Sequence, residues 1–249
     1  MLLKSLKILN LSHSHQLTNT LDFSNILNLE RLILEDCTRL LKAHESIREL
    51  RGLILLNLED CKSLRKLPQQ IGHLKALKEL ILSSCSKLNQ FPTELGNLES
   101  LTAFNADKTN IYPSVSTNGD KKLWSSLFLS RILRSKRCPN SISFSLGSFS
   151  RSLVSLSLAQ YNLSNDGIPR DIGGMSLLQD LNLSENPICS ILDSIKCLTL
   201  LQSLALVSCS RLQSLLELPM SLNDLDLFEY RSLEIITNLP NMLSSLGTV

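Results

Sequence analysis

Aromatic residues make up only 4% of this 249-residue chain, and it has only 9 glycines. A core mixing aromatic and β-branched side chains is therefore not what this sequence offers. No apolar run approaches the roughly 18–20 residues that span a bilayer. Met1 leads directly into LLKSLKILNLS, without the apolar stretch and small-residue cleavage site of a secretory signal. The expected compartment is the cytoplasm, or the nucleus, with no membrane contact. A net charge of +2 gives no argument for nucleic acid. The seven cysteines include neither a CxxC pair nor the doubled CxxC spacing of a zinc site. An odd number of cysteines without an export signal points to reduced thiols.

Catalytic signatures are missing as well. Nothing matches the P-loop, the GxSxG nucleophile elbow or GxGxxG. His44-Glu45-Ser46-Ile47-Arg48 begins like HExxH but ends in arginine, so the zinc-protease reading fails. His13 and His15 flank Ser14 and read as surface histidines. The expectation is a non-enzyme with no cofactor and no metal. Asn-x-Ser sequons stand at Asn10, Asn162 and Asn182, and two of them fall inside a recurring LNLS phrase that explains them without glycosylation.

What the chain has is leucine, 58 of them. So many copies of one side chain suggest one kind of slot filled many times. Alignment on Leu-x-x-Leu-x-Leu gives Leu6/Leu9/Leu11, Leu29/Leu32/Leu34, Leu53/Leu56/Leu58 and Leu77/Leu80/Leu82, then a degenerate Leu101/Phe104/Ala106. The series resumes at Leu153/Leu156/Leu158, Leu178/Leu181/Leu183, Leu201/Leu204/Leu206 and Leu222/Leu225/Leu227. The starts lie 23, 24, 24, 24, 52, 25, 23 and 21 residues apart, a period that marks a repeat architecture.

Each unit can be read physically. The last two leucines of a box are two apart, so both face one side of a strand. Three residues further on stands a turn slot, occupied by Ser14, Cys37, Cys61, Cys85, Thr109, Tyr161, Asn186, Cys209 and Tyr230. A buried amide, thiol or hydroxyl there can hydrogen-bond the turning backbone. Cys37, Cys61, Cys85 and Cys209 thus read as small core residues rather than redox or metal groups, with Asn186 as the amide version. Leu64 and Leu67 bury the return segment of the third coil, and Pro68 stops it becoming a regular helix.

One coil cannot bury its own leucines, so the coils must stack. The expected fold is an α/β leucine-rich-repeat solenoid. It has a parallel sheet on the concave face of an arc and short helical or irregular segments on the convex face. At ~4.8 Å per strand the arc should run roughly 40–45 Å or more, the interrupted region included.

The pattern breaks over 114–150. This stretch carries Lys121, Lys122, Arg131, Arg134, Lys136 and Arg137 against the single acid Asp120, with Trp124 among its aromatics. A basic amphipathic contact segment is one reading. A degenerate coil with a surface loop, its aromatics plugging the solenoid, is the preferred one. The expected organisation is repeats one to five over 1–113, the basic insert over 114–150, and repeats six to nine with a tail over 151–249. Met1 begins inside a repeat and the tail NLPNMLSSLGTV stays apolar. Because solenoids need polar caps, a piece of a longer array is expected.

Strand positions alternating with the leucines should face the concave side. Candidate protein contacts there are Arg31, Glu35, Asn57, Glu59, Glu79, Asn105, Asp107, Asp180, Asn182, Asp224, Asp226 and Phe228. Glu35, Glu59 and Asp107 fall in one column, with Asp36 and Asp60 beside it. This could be a binding strip or a solvated face.

The phrases LKILNLSHSHQL, LERLILEDCTRL, LNLEDCKSLRKLPQQI, LKELILSSCSKLNQFP and LQSLALVSCSRLQSLLELP carry a specific likeness. The chain resembles, over nearly its whole length, the leucine-rich-repeat region of plant intracellular nucleotide-binding immune receptors. The resemblance is to the subclass with an N-terminal Toll/interleukin-1-receptor domain. It implies a recognition module that senses a pathogen effector and restrains the receptor's nucleotide-binding domain. It also implies that this chain, which carries neither a P-loop nor a Toll-type domain, neither binds ADP nor cleaves NAD. The alternatives are an extracellular receptor-like ectodomain and a stand-alone protein-interaction scaffold. Extracellular plant repeats favour NxLxGxIP in almost every coil, and only Asn162–Pro169 approaches it here.

Overall fold

The second leucine of every box, or the residue replacing it, sits at the centre of a very short strand. The computed structural model describes residues 3, 5–89, 91–109, 152–163, 170–191, 193–215, 217–229 and 235–236. Its strands are β1 (Ile8–Asn10), β2 (Arg31–Ile33), β3 (Leu55–Asn57), β4 (Glu79–Ile81), β5 (Ala103–Asn105) and β6 (Ser155–Ser157). They continue as β7 (Asp180–Asn182), β8 (Ser203–Ala205), β9 (Ser214–Leu215), β10 (Asp224–Asp226) and β11 (Ile235–Ile236). A nine-stranded parallel sheet runs in the order β1-β2-β3-β4-β5-β6-β7-β8-β10 and stays unclosed. This is a leucine-rich-repeat solenoid.

Register follows the boxes. Leu9 lies opposite Leu32, Leu32 opposite Leu56, and Leu56 opposite Leu80. Stacking every coil in the same phase places like residues over like. Leu29, Leu53, Leu77, Leu101, Leu153, Leu178 and Leu201 are buried as one column, and Leu34, Leu58, Leu82, Leu158, Leu183 and Leu206 as another. Burying each such side chain contributes about 1.5–3 kcal/mol relative to leaving it exposed. A single continuous core therefore runs the length of the array.

The return segments are short 3-10 turns, at Phe23–Asn25, Glu45–Glu49, Gln69–His73, Thr93–Asn97, Arg170–Gly174 and Asp193–Cys197. Pro68 (φ −68°) and Pro92 (φ −66°) each precede such a turn. The ring presets φ and has no N–H to leave unpaired, so proline starts the turn here rather than only ending a helix. At the first two turns, which have no proline before them, a side chain caps instead. Asp22 Oδ1 accepts from the Ser24 amide at 2.9 Å, and His44 Nδ1 from the Ser46 amide at 3.2 Å. The Ser24 hydroxyl and amide together hold the Asp22 carboxyl down at about 2. Among the described residues no helix is long and apolar enough to cross a membrane.

The reading of 114–150 as a degenerate coil with a surface loop falls outside the described residues, but the sheet on either side of it is described. β5 pairs directly with β6, Phe104 opposite Leu156, in the same register as every other joint. The sheet has no rung between them, so the interruption adds nothing to its length. Nine strands give eight spacings, about 38 Å of sheet rather than 40–45 Å. The conformation of 114–150 itself, with Lys121, Lys122, Trp124, Arg131, Arg134, Lys136 and Arg137, lies outside the described residues. The strand β9, between β8 and β10 in the chain, also behaves differently from the boxes. β9 leaves the main sheet and pairs with β11 in a two-stranded ladder of its own.

Candidate protein-binding face

Three columns of side chains face away from the leucine core along the nine-stranded sheet. The first residues of the strands form one column, in which Arg31, Asp180 and Asp224 are exposed and Glu79 is half-buried. The third residues form the next, containing Asn10, Asn57, Asn105, Asn182 and Asp226. Two residues later comes the third column, with Glu35, Glu59 and Asp107 half-buried and Phe228 67% exposed.

The middle column does structural work that the sequence pattern did not reveal. Each of its Asn or Asp side chains takes the backbone amide two residues on, closing an Asx turn as the strand ends. The pairs are Asn10 with Ser12 (2.9 Å), Asn57 with Glu59 (2.8 Å), Asn105 with Asp107 (3.1 Å), Asn182 with Ser184 (3.0 Å) and Asp226 with Phe228 (3.2 Å). Where Ser157 and Ala205 stand in this column, the preceding coil supplies the acceptor. Asp107 Oδ1 takes the Ala159 amide at 2.7 Å, and Ser184 Oγ takes the Val207 amide at 3.1 Å.

Two of the expected contact residues also carry structural bonds within the array. Asn57 is 8% exposed, and its Nδ2 donates to Glu35 Oε2 at 3.4 Å. It braces the strip rather than presenting itself. Asp107 also accepts from the Ser157 hydroxyl at 2.6 Å, so its carboxylate ties β5 to β6 across the interruption. Glu35 and Glu59 are the carboxylates that face the open side with fewer structural duties. Burial first, and then repulsion from Glu35, Asp60 and Asp107, raises Glu59 above the ordinary carboxylate range. The strip gathers carboxylates from successive coils.

Below the strip runs a ridge of left-handed residues, one per coil: His13, Asp36, Asp60, Ser84, Lys108, Gln160, Glu185, Ser208 and Glu229, with φ between 51° and 65°. None is glycine, although glycine is the usual occupant of that region. The turn slot follows immediately. Cys37 Sγ donates to the Leu11 carbonyl (3.2 Å), Cys61 to Leu34 (3.2 Å), Cys85 to Leu58 (3.1 Å) and Cys209 to Leu183 (3.3 Å). Each thiol thus reaches back to the third leucine of the previous box. Burial raises all of the first three thiols, Cys85 to about 12, so they stay protonated donors. Asn186 fills the same slot with more bonds, described below. Tyr161 is buried there too, and burial pushes its phenol upward.

No family model matches this chain. Over 85 residues it is 42% identical to the TMV resistance protein N of Nicotiana glutinosa, a match that spans 34% of this chain and 7% of that protein. The array superposes on a leucine-rich-repeat protein of Leptospira interrogans with a TM-score of 0.57 and 28% identity, covering 93% of this chain and 56% of that one. It superposes on the ectodomain of the Arabidopsis thaliana receptor kinase GASSHO1/SCHENGEN3 with a TM-score of 0.50 and 22% identity, covering 92% of this chain and 27% of that one. The second likeness is one of fold. The chain is a leucine-rich-repeat protein-interaction module with an 85-residue similarity to a plant resistance protein.

Proposed function

We propose that this chain is the recognition module of a plant disease-resistance receptor, which senses a pathogen effector and restrains the receptor's nucleotide-binding domain. The observation that carries the protein-binding part is the acidic strip on an open sheet. Glu35 and Glu59 are both half-buried there, and a basic partner surface would neutralise them. The similarity to TMV resistance protein N supports the receptor setting. In this reading 1–113 and 151–249 are two stretches of one array, and the basic insert at 114–150 is a second contact. The compartment is the cytoplasm or nucleus, and no nucleic acid or membrane is involved.

The test is co-purification of this chain with separately expressed nucleotide-binding domains of related receptors in plant cells. Capture that weakens about tenfold in Glu35→Ala/Glu59→Ala, about 1.4 kcal/mol, supports restraint through the strip. A folded chain that captures none of these domains overturns the restraint role. Glycosylation at Asn10 or Asn182 in the same sample would place the chain outside the cell and favour an ectodomain.

A further inference from the structure

We propose that His13, His15 and Asp36 form a binding site for a divalent transition-metal ion of the zinc type. The three side chains come from two successive coils and meet on the left-handed ridge. His13 adopts φ 60°, and the His15 amide donates back to the His13 carbonyl at 2.8 Å. That tight turn brings both rings to one side, with centroids 6.2 Å apart. Asp36 occupies the equivalent left-handed position one coil on, at φ 54°.

The distances suit a small cation. Asp36 Oδ2 lies 3.0 Å from His13 Nδ1 and 3.7 Å from His15 Nε2. One ligand atom from each of the three residues lies within 4.8 Å of the others. Tetrahedral zinc with bonds of about 2.0–2.1 Å to nitrogen and oxygen separates its ligands by about 3.3–3.4 Å. The separations of 3.0 and 3.7 Å bracket that value, so small rotations of exposed side chains would close the site.

Orientation is already set at one ring. His15 Nδ1 lies 3.4 Å from Thr38 Oγ1. With the proton on Nδ1 donated to that hydroxyl, the lone pair sits on Nε2, the nitrogen that faces Asp36. Two imidazoles and one carboxylate suit zinc, copper(II) or nickel(II), whereas calcium and magnesium take oxygen ligands. The histidine side chains are 67% and 54% exposed, which leaves room for solvent at a fourth position. Among the described residues this is the one group of three that converges in this way.

The whole chain titrated with Zn2+ by calorimetry, and with Co2+ by visible absorption, tests the site. His13→Asn keeps the left-handed backbone, which asparagine tolerates, and His15→Gln keeps the size of the side chain roughly. One bound equivalent is expected, weakened at least ~10-fold by each variant, a loss no smaller than outer-shell changes cause. His73→Gln, at an exposed histidine whose Nδ1 faces the Gln70 carbonyl, should change nothing. Matching circular dichroism shows that the variants are folded. Absence of binding in the unmodified chain overturns the proposal. So does binding that both variants leave intact, because a thiol such as exposed Cys197 would then be the ligand.

Discussion

The Asn186 side chain holds two coils together in both directions. Its Nδ2 donates to the Leu158 carbonyl, 28 residues earlier, at 2.8 Å, and to Leu183 within its own turn at 2.8 Å. Its Oδ1 accepts from the Leu163 amide at 2.8 Å. A cysteine in the same slot offers one weak S–H donor, used on one carbonyl. The thiols reach a carbonyl of the previous coil, whereas the Asn186 side chain also accepts from the Leu163 amide.

Asn186→Ala should therefore destabilise the array by about 2–4 kcal/mol, since it takes the acceptor from the buried Leu163 amide and a donor from the Leu158 carbonyl, whereas the Leu183 carbonyl keeps the Cys209 thiol. Cys61→Ala removes one weak bond and a small buried volume and should cost about 1–2 kcal/mol. Chemical denaturation of the two variants side by side checks the ordering, and equal losses would contradict the slot chemistry.

Leu58 is 0% exposed and lies beneath the third coil's turn. Leu58→Asp places a charge with no partner in the core, which costs several kcal/mol. In a stacked array the damage spreads to neighbouring coils. Hydrogen exchange should show lost protection from β2 through β4, and intact cooperative melting would refute the register.

Gly72 lies in a 3-10 turn against the next coil. A Cβ there would come within 2.6 Å of the Glu94 carbonyl oxygen and 2.7 Å of its Cβ. Gly72→Ala should push the third and fourth return segments apart and lower the melting temperature. Gly52, whose nearest atom would be 4.0 Å away, should accept alanine without loss.

Glu59 gives a pH dependence with a definite sign. Its carboxyl titrates above the unfolded value in the folded chain, so ionisation is harder after folding. Its contribution to stability is fully present below the unfolded pKa and is lost as pH rises through the folded one. Glu59→Gln should raise the melting temperature at neutral pH, with the gain vanishing in mild acid. A gain that persists unchanged below the ordinary glutamate range would exclude this origin.

Thiol reactivity should divide by burial. Cys197 is exposed, while Cys37, Cys61, Cys85 and Cys209 are buried. Maleimide labelling of the native chain followed by peptide mass mapping should modify Cys197 within minutes and the four slot cysteines only on unfolding. Rapid labelling of Cys61 would mean that the coils around it open easily.

The repeat was legible because one period carried it. Leucines at 21 to 25 residue intervals, apart from one gap of 52, allow only one phase in which every coil buries its apolar side against the next. That fixed the parallel sheet, the buried columns and the turn slot before any coordinate was known. The phase could not say which rung follows the interruption. β5 meets β6 with Phe104 opposite Leu156, a pairing between residues about 50 apart. The same distance hid the brace of Asp107 on Ala159 and Ser157. Asn57 read as a surface contact because alternation gives only the side of the strand, not what the neighbouring coils place around it. His13, His15 and Asp36 read as separate surface residues, since their convergence needs a left-handed turn in one coil stacked on its equivalent in the next. The local pattern determined the coil, and the stacking of coils decided which polar side chains meet.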